Sequence, residues 1–579
     1  MIIDARQIDR NTEIETDLCI IGAGAAGITI AKAFDGKDIR VYLIESGGLE
    51  YDTLANSLYR AENIGHPYWP LDECQFRAFG GNTNCWGGWC RPMDELDFRS
   101  RSWIPDSGWP FNYSELGPYY GPAHKICQIP SDSYVPEERV SELADRRAQL
   151  LPVRSDRLET LIYRFSPPTR FRHVYFDLIN NSNNIKCLLH ANVTNIETTH
   201  DAREIARVAI GCLNGNRLSV RAKIFVLATG GTENPRLLLN SRNTMSRGLG
   251  NEYDLVGRFF MEHPHTRRRI IPMSKRVPVA LYGLHYYKRR VSARLRLTAA
   301  MQEREGLLNY SANIHHVWVG SLGPGWLSLR KIVLAISPSR RDDPFLRMPP
   351  YGSKRVTPWD IWQIARNLPL NTLGGFLQLF QPESFVQGYI LESKSEQAPN
   401  RDSRIILQSD RDPFGLNRVS LDWRTLPIDR HTVIRAEEIV EDELRRLNIG
   451  TLEPLSSEEL VDWPKRRLKT GYVSTLRPLS SEELIDSPKR SNLEAGGWQT
   501  GLEGGWHQLG TTRMSDDPRK GVVDRHCRVH GISNLFIGGG SVFPTVGSAP
   551  PTLTIIALAV RLSEHLMQQF GITKTINIE

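Results

Sequence analysis

The stretch DLCIIGAGAAGITIAKAF, residues 17–34, decides the fold. Its apolar run at 18–21 predicts a buried strand, which leads directly into the pattern Gly-x-Gly-x-x-Gly. Helical spacing follows, and a second apolar run, VYLIE, ends at Glu45. Strand, glycine turn, helix, strand and acid in this order are typical of a dinucleotide-binding βαβ unit.

The glycines and the acid of this unit indicate what it binds. Gly22, Gly24 and Gly27 permit a tight turn and let a pyrophosphate approach backbone N–H groups at a helix N-terminus. Glu45 at the end of the second strand can accept hydrogen bonds from both hydroxyls of a free ribose. The pattern therefore favours FAD or NAD over NADP, and its single occurrence does not suggest a reductase with two nucleotides.

Composition sets the broad class. The chain has 579 residues, 40% of them apolar and 24% charged, with a net charge of +7, which is ordinary for a globular protein and gives no sign of nucleic-acid binding. No apolar run reaches about 18 residues and the N-terminus has no apolar signal core, so we expect neither a membrane span nor secretion. Eight scattered cysteines without a CxxC pair argue against a disulfide or zinc scaffold and favour a cytoplasmic location.

The chain divides into four predicted parts. Residues 1–260 form the first part of a nucleotide-binding domain, with an irregular loop at 70–125, and 261–450 alternate polar and apolar residues as in an antiparallel sheet with helices. In 451–500, PLSSEELVDWPKRR recurs as PLSSEELIDSPKRS, which indicates either a duplicated surface loop or a lid. Residues 501–579 return to the first domain. The predicted fold class is α/β, a Rossmann-type domain with an inserted antiparallel-sheet domain.

The last part contains the residues best suited to chemistry. In SAPPTLT, Pro551 suits the first position of a long helix, whose free N–H groups at Thr552 and Leu553 would present a positive helix end. His507 lies in WHQLGTTRM between apolar neighbours, and a neutral imidazole can accept a proton at pH 7. By itself, a histidine in this setting is more often structural.

Several blocks together resemble the glucose–methanol–choline (GMC) family of FAD-dependent oxidoreductases, in particular its sugar-oxidising, pyranose-oxidase-like branch. They are IGAGAAG with Glu45, GGNTNCWGG, ATGGTENPRLLLNS, VGRFFMEHPH and WHQLGTTRM followed by CRVHGISNLFIGGGSVFP and PTLT. The resemblance implies FAD as cofactor and oxidation of a sugar, polyol or related alcohol, with His507 as the general base and hydride transfer to flavin N5. The final electron acceptor stays open among oxygen, a quinone and a carrier protein.

The resemblance and the motifs together give a list of site residues. Those expected to hold FAD are Gly22, Gly24, Ala25, Ala26, Gly27, Glu45, Ser46, Gly80, Gly81, Asn84, Cys85, Trp86, Val193, Ala228, Gly230, Gly540, Ser541, Pro551, Thr552 and Leu553. Those expected near the substrate are Asn84, Ser548 and Pro550. No metal site is expected, and His263 and His265 are interpreted as structural residues.

One departure from the family pattern concerns Pro550, which stands where the family usually has a second His or Asn. Proline offers neither a side-chain donor nor an N–H. Either Ser548 or Asn84 replaces the missing group, or His507 works alone, or the site performs a different reaction such as an isomerisation or elimination. A flavin-holding protein without enzymatic activity is the remaining alternative.

A second departure concerns Cys85, which stands where pyranose oxidase carries its flavin covalently on a histidine. We expect a packed thiol and non-covalent FAD, with a thioether link as the alternative. Elsewhere, His526 and His530 are expected to be structural, and the arginines at 267–269 either bind an anion or lie solvated at a strand end. The Leu- and Trp-rich residues 316–385 are expected to be ordinary core and surface helix rather than a pocket cover or membrane contact.

Overall fold

The computed structural model describes residues 1–129, 133–143, 145, 148–167, 169–274, 277–283, 291–318, 332, 358–366, 386–454 and 502–572. The duplicated segment after residue 454 and most of the Leu- and Trp-rich stretch lie outside the described residues. None of the helices in the described part of the chain has the length and apolar character needed to cross a bilayer.

The first sheet is mostly parallel and contains the glycine motif. Its strands are β1 (Ile2–Asp4), β2 (Glu13–Ile21), β3 (Val41–Ile44), β7 (Ile185–Leu189), β8 (Asn192–Thr198), β9 (Ile205–Gly211), β10 (Arg217–Leu227) and β18 (Leu535–Ile537). The order is β1-β7-β3-β2-β10-β9-β8, with β18 pairing in parallel with β10. The chain turns at His190, where φ is 58°, so that β7 and β8 are separate strands.

Most helices of the described residues are short, and three have more than ten residues, namely Gly230–Asn240, Pro427–Arg446 and Thr552–Gln569. The helices are α1 (Ala25–Ala33), α2 (Thr53–Asn56), α3 (Leu71–Cys74), α4 (Glu95–Phe98), α5 (Tyr113–Leu116), α6 (Tyr120–Ile126), α7 (Pro136–Leu143), α8 (Phe171–Val174), α9 (Phe176–Asn181), α10 (Gly230–Asn240), α11 (Ala299–Glu305), α12 (Pro358–Arg366), α13 (Pro427–Arg446) and α14 (Thr552–Gln569). The final helix begins at Thr552, so Pro551 precedes its first residue and does not occupy it.

The second sheet is antiparallel throughout. Its strands are β5 (Trp89–Cys90), β6 (Leu158–Phe165), β11 (His265–Pro272), β12 (Val291–Leu297), β13 (Tyr310–Trp318), β14 (Val386–Ser395) and β17 (Gly450–Pro454), in the order β17-β11-β14-β13-β12-β6-β5. The sheet was expected within 261–450, but β5 and β6 come from the first 260 residues. The chain therefore builds this layer from separated segments.

The third sheet is small. It consists of β4 (Ala61–Asn63), β15 (Arg404–Arg411) and β16 (Asn417–Asp422), with β16 in the middle. One buried apolar cluster covers the parallel sheet with α1 and α14, and a second lies between the antiparallel sheet and α13. The mixed α/β class and the Rossmann-type arrangement agree with the prediction from sequence.

Candidate active site

The three glycines of the first turn have different tasks. Gly22 has a φ of +105°, and a Cβ there would lie 2.5 Å from the carbonyl oxygen of Ala228. A Cβ on Gly27 would lie 1.9 Å from the carbonyl oxygen of Gly22, so this helix can pack against the turn only with glycine. A Cβ on Gly24 would meet no protein atom within 4 Å. Gly22 and Gly27 therefore make the turn, whereas Gly24 leaves open space at the N-terminus of α1.

Glu45 is buried and fastens this turn. Its Oε2 accepts a hydrogen bond from Ala23 N at 3.0 Å and its Oε1 accepts one from Gly47 N at 2.8 Å. Because each carboxylate oxygen has two lone pairs, acceptor capacity remains for a ligand. Glu45 also lines the cavity described next, so its position agrees with the ribose-binding task expected from the sequence.

A cavity of about 660 Å³ extends along the turn and continues to the start of α14. The predicted site residues that line it are Gly22, Gly24, Ala25, Ala26, Glu45, Ser46, Gly81, Cys85, Trp86, Val193, Ala228, Gly230, His507, Gly540, Pro550, Pro551 and Thr552. The cavity thus brings together most of a set that is scattered over the whole sequence.

The remaining predicted site residues do not line the cavity, namely Gly27, Gly80, Asn84, Ser541, Ser548 and Leu553. The Asn84 amide donates to the carbonyl oxygen of Phe79 at 2.9 Å. The Ser548 hydroxyl donates to the side-chain oxygen of Asn309 at 3.1 Å. Both side chains are buried and engaged inside the protein, so neither stands in for a polar group at position 550.

Glu262 holds the segment that carries His507. Its Oε1 accepts from His507 N at 2.7 Å, and its Oε2 accepts from Gly505 N at 2.9 Å and His263 N at 3.0 Å. The Tyr68 hydroxyl donates to Oε1 as well. Between the two clamped amides, Trp506 has a φ of 65°, a conformation that a non-glycine residue adopts only when its surroundings impose it. The carboxylate therefore fixes a strained backbone at the position where His507 is presented.

Two imidazoles meet at this point. The Nδ1 of His507 lies 2.7 Å from the Nδ1 of His263, and the Nε2 of His263 lies 3.0 Å from the carbonyl oxygen of Gly547. A carbonyl oxygen only accepts, so the His263 proton resides on Nε2 and its Nδ1 is an acceptor. His507 must then donate from Nδ1, which leaves its Nε2 without a proton while the ring is neutral.

The surroundings keep both rings neutral. Burial lowers the pKa of His263 to about 4. Burial, followed by the proximity of His263, Lys394 and Arg294, lowers the pKa of His507 well below 6.5. Within the described part of the chain, Nε2 of His507 has no hydrogen-bond partner, and the residue borders the cavity. This nitrogen is therefore a proton acceptor available to a molecule in the cavity.

Burial acts on Glu262 in the opposite sense and raises its pKa to about 7, although four donors point at its oxygens. Neither Glu262 nor the pairing of His263 with His507 was found from the sequence. Glu262 and His263 both lie in the block VGRFFMEHPH, which the sequence analysis had already singled out. The block does not show that His263 contacts His507, because the two histidines are 244 residues apart along the chain.

Cationic and aromatic side chains lie around the same end of the cavity. Lys394 and His265, which pair across β14 and β11, both line it together with Trp89. The Lys394 ammonium lies 5.4 Å from the Trp89 ring centre, and the Arg294 guanidinium lies 4.6 Å from it. Sequence reasoning missed Lys394, since a lysine on an alternating strand carries no signal of its own.

The other residues singled out in the sequence have structural surroundings. Arg267 lies inside β11 and forms ion pairs with Glu392 at 3.2 Å and Glu503 at 3.0 Å. It is therefore neither solvated at a strand end nor placed to bind an external anion, the two settings expected from the sequence. His530 lies 2.8 Å from the carbonyl oxygen of Ser515, and His526 stacks on His565. Among the described residues, no group of three or more His, Cys, Asp or Glu side chains is arranged to hold a metal ion.

The residues of the cavity fit FAD. The open space at Gly24 lies at a helix N-terminus, which suits a pyrophosphate. Gly81 would place a Cβ 3.0 Å from the Cα of Gly24, so the second glycine block closes tightly over the first. At the far end, Thr552 begins α14, whose first N–H groups have no partner within the helix. The cavity thus offers sites for a phosphate, a ribose and a ring system in one continuous space.

This fold and cavity define a Rossmann-type FAD-binding protein. Residues 399–559 match the family model described as GMC oxidoreductase. This match over the C-terminal part of the chain agrees with the GMC family, and with the FAD cofactor, that the resemblance in the sequence implies.

Individual relatives are similar over different lengths. The chain is 39% identical to 2-methyl-1,2-propanediol dehydrogenase of Mycolicibacterium austroafricanum over 67 residues, which span 12% of each chain. It is 23% identical to 6'''-hydroxyparomomycin C oxidase of Streptomyces lividus over 97% of this chain and 93% of that protein. Among solved structures, pyridoxine 4-oxidase from Mesorbium loti aligns over 97% of this chain and all of its own, with 16% identity and a TM-score of 0.54. That last likeness concerns the fold.

Proposed function

We propose that this chain oxidises an alcohol of a sugar, polyol or related small molecule, with His507 as the general base. The observation that carries the proposal is the contact of His507 Nδ1 with His263, which assigns the acceptor role to Nε2 of a residue that lines the cavity with the glycine turn and the start of α14. The relatives' names support the class of reaction, since they describe a diol dehydrogenase and oxidases of hydroxyparomomycin C and pyranose.

Several residues of the site have separate roles in this reaction. Bound FAD supplies the acceptor for the hydride that leaves the substrate carbon. His507 Nε2 accepts the hydroxyl proton, so that the C–O bond becomes a carbonyl as the C–H bond breaks. Glu262 holds the backbone of His507 in place, and Trp86, Trp89 and Trp506 exclude water from the same end of the cavity. Pro550 lines this end but offers no hydrogen bond to the substrate oxygen.

The test is anaerobic mixing of the FAD-loaded protein with a panel of sugars, polyols and apolar alcohols, followed through the visible flavin absorbance. For a substrate that the parent oxidises, His507→Ala should slow the loss of absorbance by about 10²–10⁴-fold, the usual contribution of a general base. His530→Ala, a matched change of a half-buried histidine outside the cavity, should leave the rate unchanged. A His507→Ala protein as fast as the parent would refute the assignment.

Pro550 favours a second candidate, a reaction on the same fold without net oxidation, such as an isomerisation or elimination. It predicts a product with the oxidation state of the substrate and no consumption of an external acceptor. Product analysis by mass spectrometry separates the two, because alcohol oxidation removes two hydrogens from each substrate molecule.

A further inference from the structure

We propose that His263 is a positioning residue for His507: with the Gly547 carbonyl it fixes the tautomer that leaves Nε2 of His507 as the proton acceptor. This inference rests on the proposed function, since it assigns to His507 the part of a base. It gives His263 a task that the sequence alone did not suggest.

The hydrogen bonds of the two imidazoles have a fixed direction. Starting from the Gly547 carbonyl oxygen, each contact dictates the next: His263 donates from Nε2 and accepts at Nδ1, and His507 donates from Nδ1. His263 is almost fully buried and its ring stands nearly perpendicular to that of His507, at an interplanar angle of 86°. Neither ring can turn over without breaking a bond inside the protein.

The backbone around the Gly547 carbonyl group is itself held in place. Thr545 donates to the carbonyl oxygen of Asp97 at 2.6 Å, and Ser548 donates to Asn309, whose amide donates to Asp97 Oδ1 at 3.0 Å. Gly547 has a φ of +56°, and a Cβ there would lie 2.4 Å from Asp97 Oδ2. Bonds on both sides of Gly547 therefore hold the segment, and glycine lets it approach the carboxyl group closely.

Without His263, His507 could adopt its other tautomer. An imidazole whose Nδ1 lacks an acceptor is free to carry its proton on Nε2, where it blocks proton abstraction from a substrate. In the serine-protease triad, replacing the group that orients the histidine leaves the wrong tautomer and lowers kcat by about 10⁴. His263 likewise fixes the orientation and tautomer of the His507 ring, although it is neutral and contributes no negative charge.

The test compares three variants. His263→Leu removes the acceptor. His263→Gln restores it, because its amide oxygen accepts from His507 Nδ1 and its amide nitrogen donates to Gly547. His124→Gln is the matched control, a buried histidine with two hydrogen bonds away from the cavity. The first readout is the ¹⁵N spectrum of the histidine rings in labelled FAD-loaded protein, with the His507 signals assigned from a His507→Asn sample.

We expect the parent, His263→Gln and His124→Gln proteins to show His507 protonated at Nδ1, and His263→Leu to shift that proton toward Nε2. Flavin reduction should slow by about 10–10³-fold in His263→Leu with KM within about twofold, and recover at least tenfold in His263→Gln. An unchanged His507 spectrum in His263→Leu, or equal rates for the Leu and Gln variants, would overturn the inference. The spectrum is independent of substrate turnover, so it shows whether His263 fixes the tautomer of His507 even if His507 proves not to be the base.

Discussion

His507 and His263 face each other through their Nδ1 atoms at 2.7 Å, across 244 residues of sequence. A pair of neutral imidazoles in this arrangement shares one proton, and the Gly547 carbonyl determines that it belongs to His507. The lone pair that results on Nε2 of His507 borders the cavity.

The pH dependence of flavin reduction should reflect the lowered pKa of His507. The ring must be neutral to accept a proton, so a lowered pKa keeps it active at pH values below 6.5, where an ordinary histidine is already protonated. We expect the acid limb of the anaerobic rate profile to lie below pH 6.5. Lys394→Met removes a cation that disfavours the imidazolium form, so the limb should move to higher pH.

Lys520→Met serves as the control for this shift, because Lys520 is exposed and does not line the cavity. The charged or titratable groups around the pair are Lys394, Arg294, Glu262, Glu396 and His265. If the limb stays in place or moves to lower pH in Lys394→Met, the assignment of this limb to His507 is wrong.

Two glycine substitutions should separate folding from cofactor binding. Gly27→Ala places a methyl group 1.9 Å from the Gly22 carbonyl oxygen and should prevent correct folding, seen as loss of soluble protein. Gly24→Ala meets no protein atom within 4 Å but points into the space assigned to the pyrophosphate. It should fold normally and bind FAD at least about tenfold more weakly, which corresponds to about 1.4 kcal/mol.

Reconstitution of the apoprotein with FAD measures this affinity, and Gly121→Ala, another glycine with open space around its Cβ position, should bind FAD like the parent. Parental affinity in Gly24→Ala would mean that the pyrophosphate lies elsewhere.

Cys85 should hold no covalent bond to the cofactor. Its Sγ lies 3.2 Å from the carbonyl oxygen of Asn82, in the wall of the cavity. We expect acid precipitation of the yellow protein to release all FAD into the supernatant, and Cys85→Ser to retain FAD during purification. Colour remaining in the washed precipitate of the parent but not of Cys85→Ser would demonstrate a thioether link.

We expect the buried ion pair of Arg101 and Glu396 to stabilise the fold only when both residues are present. Arg101 donates to the two carboxylate oxygens at 2.5 and 2.8 Å, and both side chains are inaccessible to solvent. Arg101→Met leaves a buried carboxylate without its cation, a change that costs about 3–5 kcal/mol in comparable cases. The melting temperature should fall clearly, and the double variant Arg101→Met/Glu396→Leu should regain part of the loss. A double variant less stable than Arg101→Met would contradict this account.

The local parts of the fold could be predicted from the sequence. The βαβ unit at 17–45 was recognisable because strand, turn and helix follow one another and each glycine has a steric reason. The helix at the C-terminal end was predicted to within one residue of its start. Gly24 and Glu45 were identified from such local patterns and His507 from the family resemblance, and all three line one cavity.

The rest depends on contacts between distant segments, which periodicity does not encode. The two-residue strand β5 lies in an irregular Trp-rich loop, and nothing in that loop shows that it pairs with β6. For the same reason His263 was interpreted as structural, since only the folded chain brings it to His507. Ser548 was placed near the substrate from its position beside Pro550, but its hydroxyl points to Asn309.

A crystal structure of the FAD-loaded protein is the most direct test of the account. We expect the isoalloxazine ring to lie between the start of α14 at Thr552 and the imidazole of His507, with Nε2 of His507 facing the ring and the two Nδ1 atoms still in contact. A ring bound elsewhere, or a His507 whose Nε2 is turned into the protein, would contradict it.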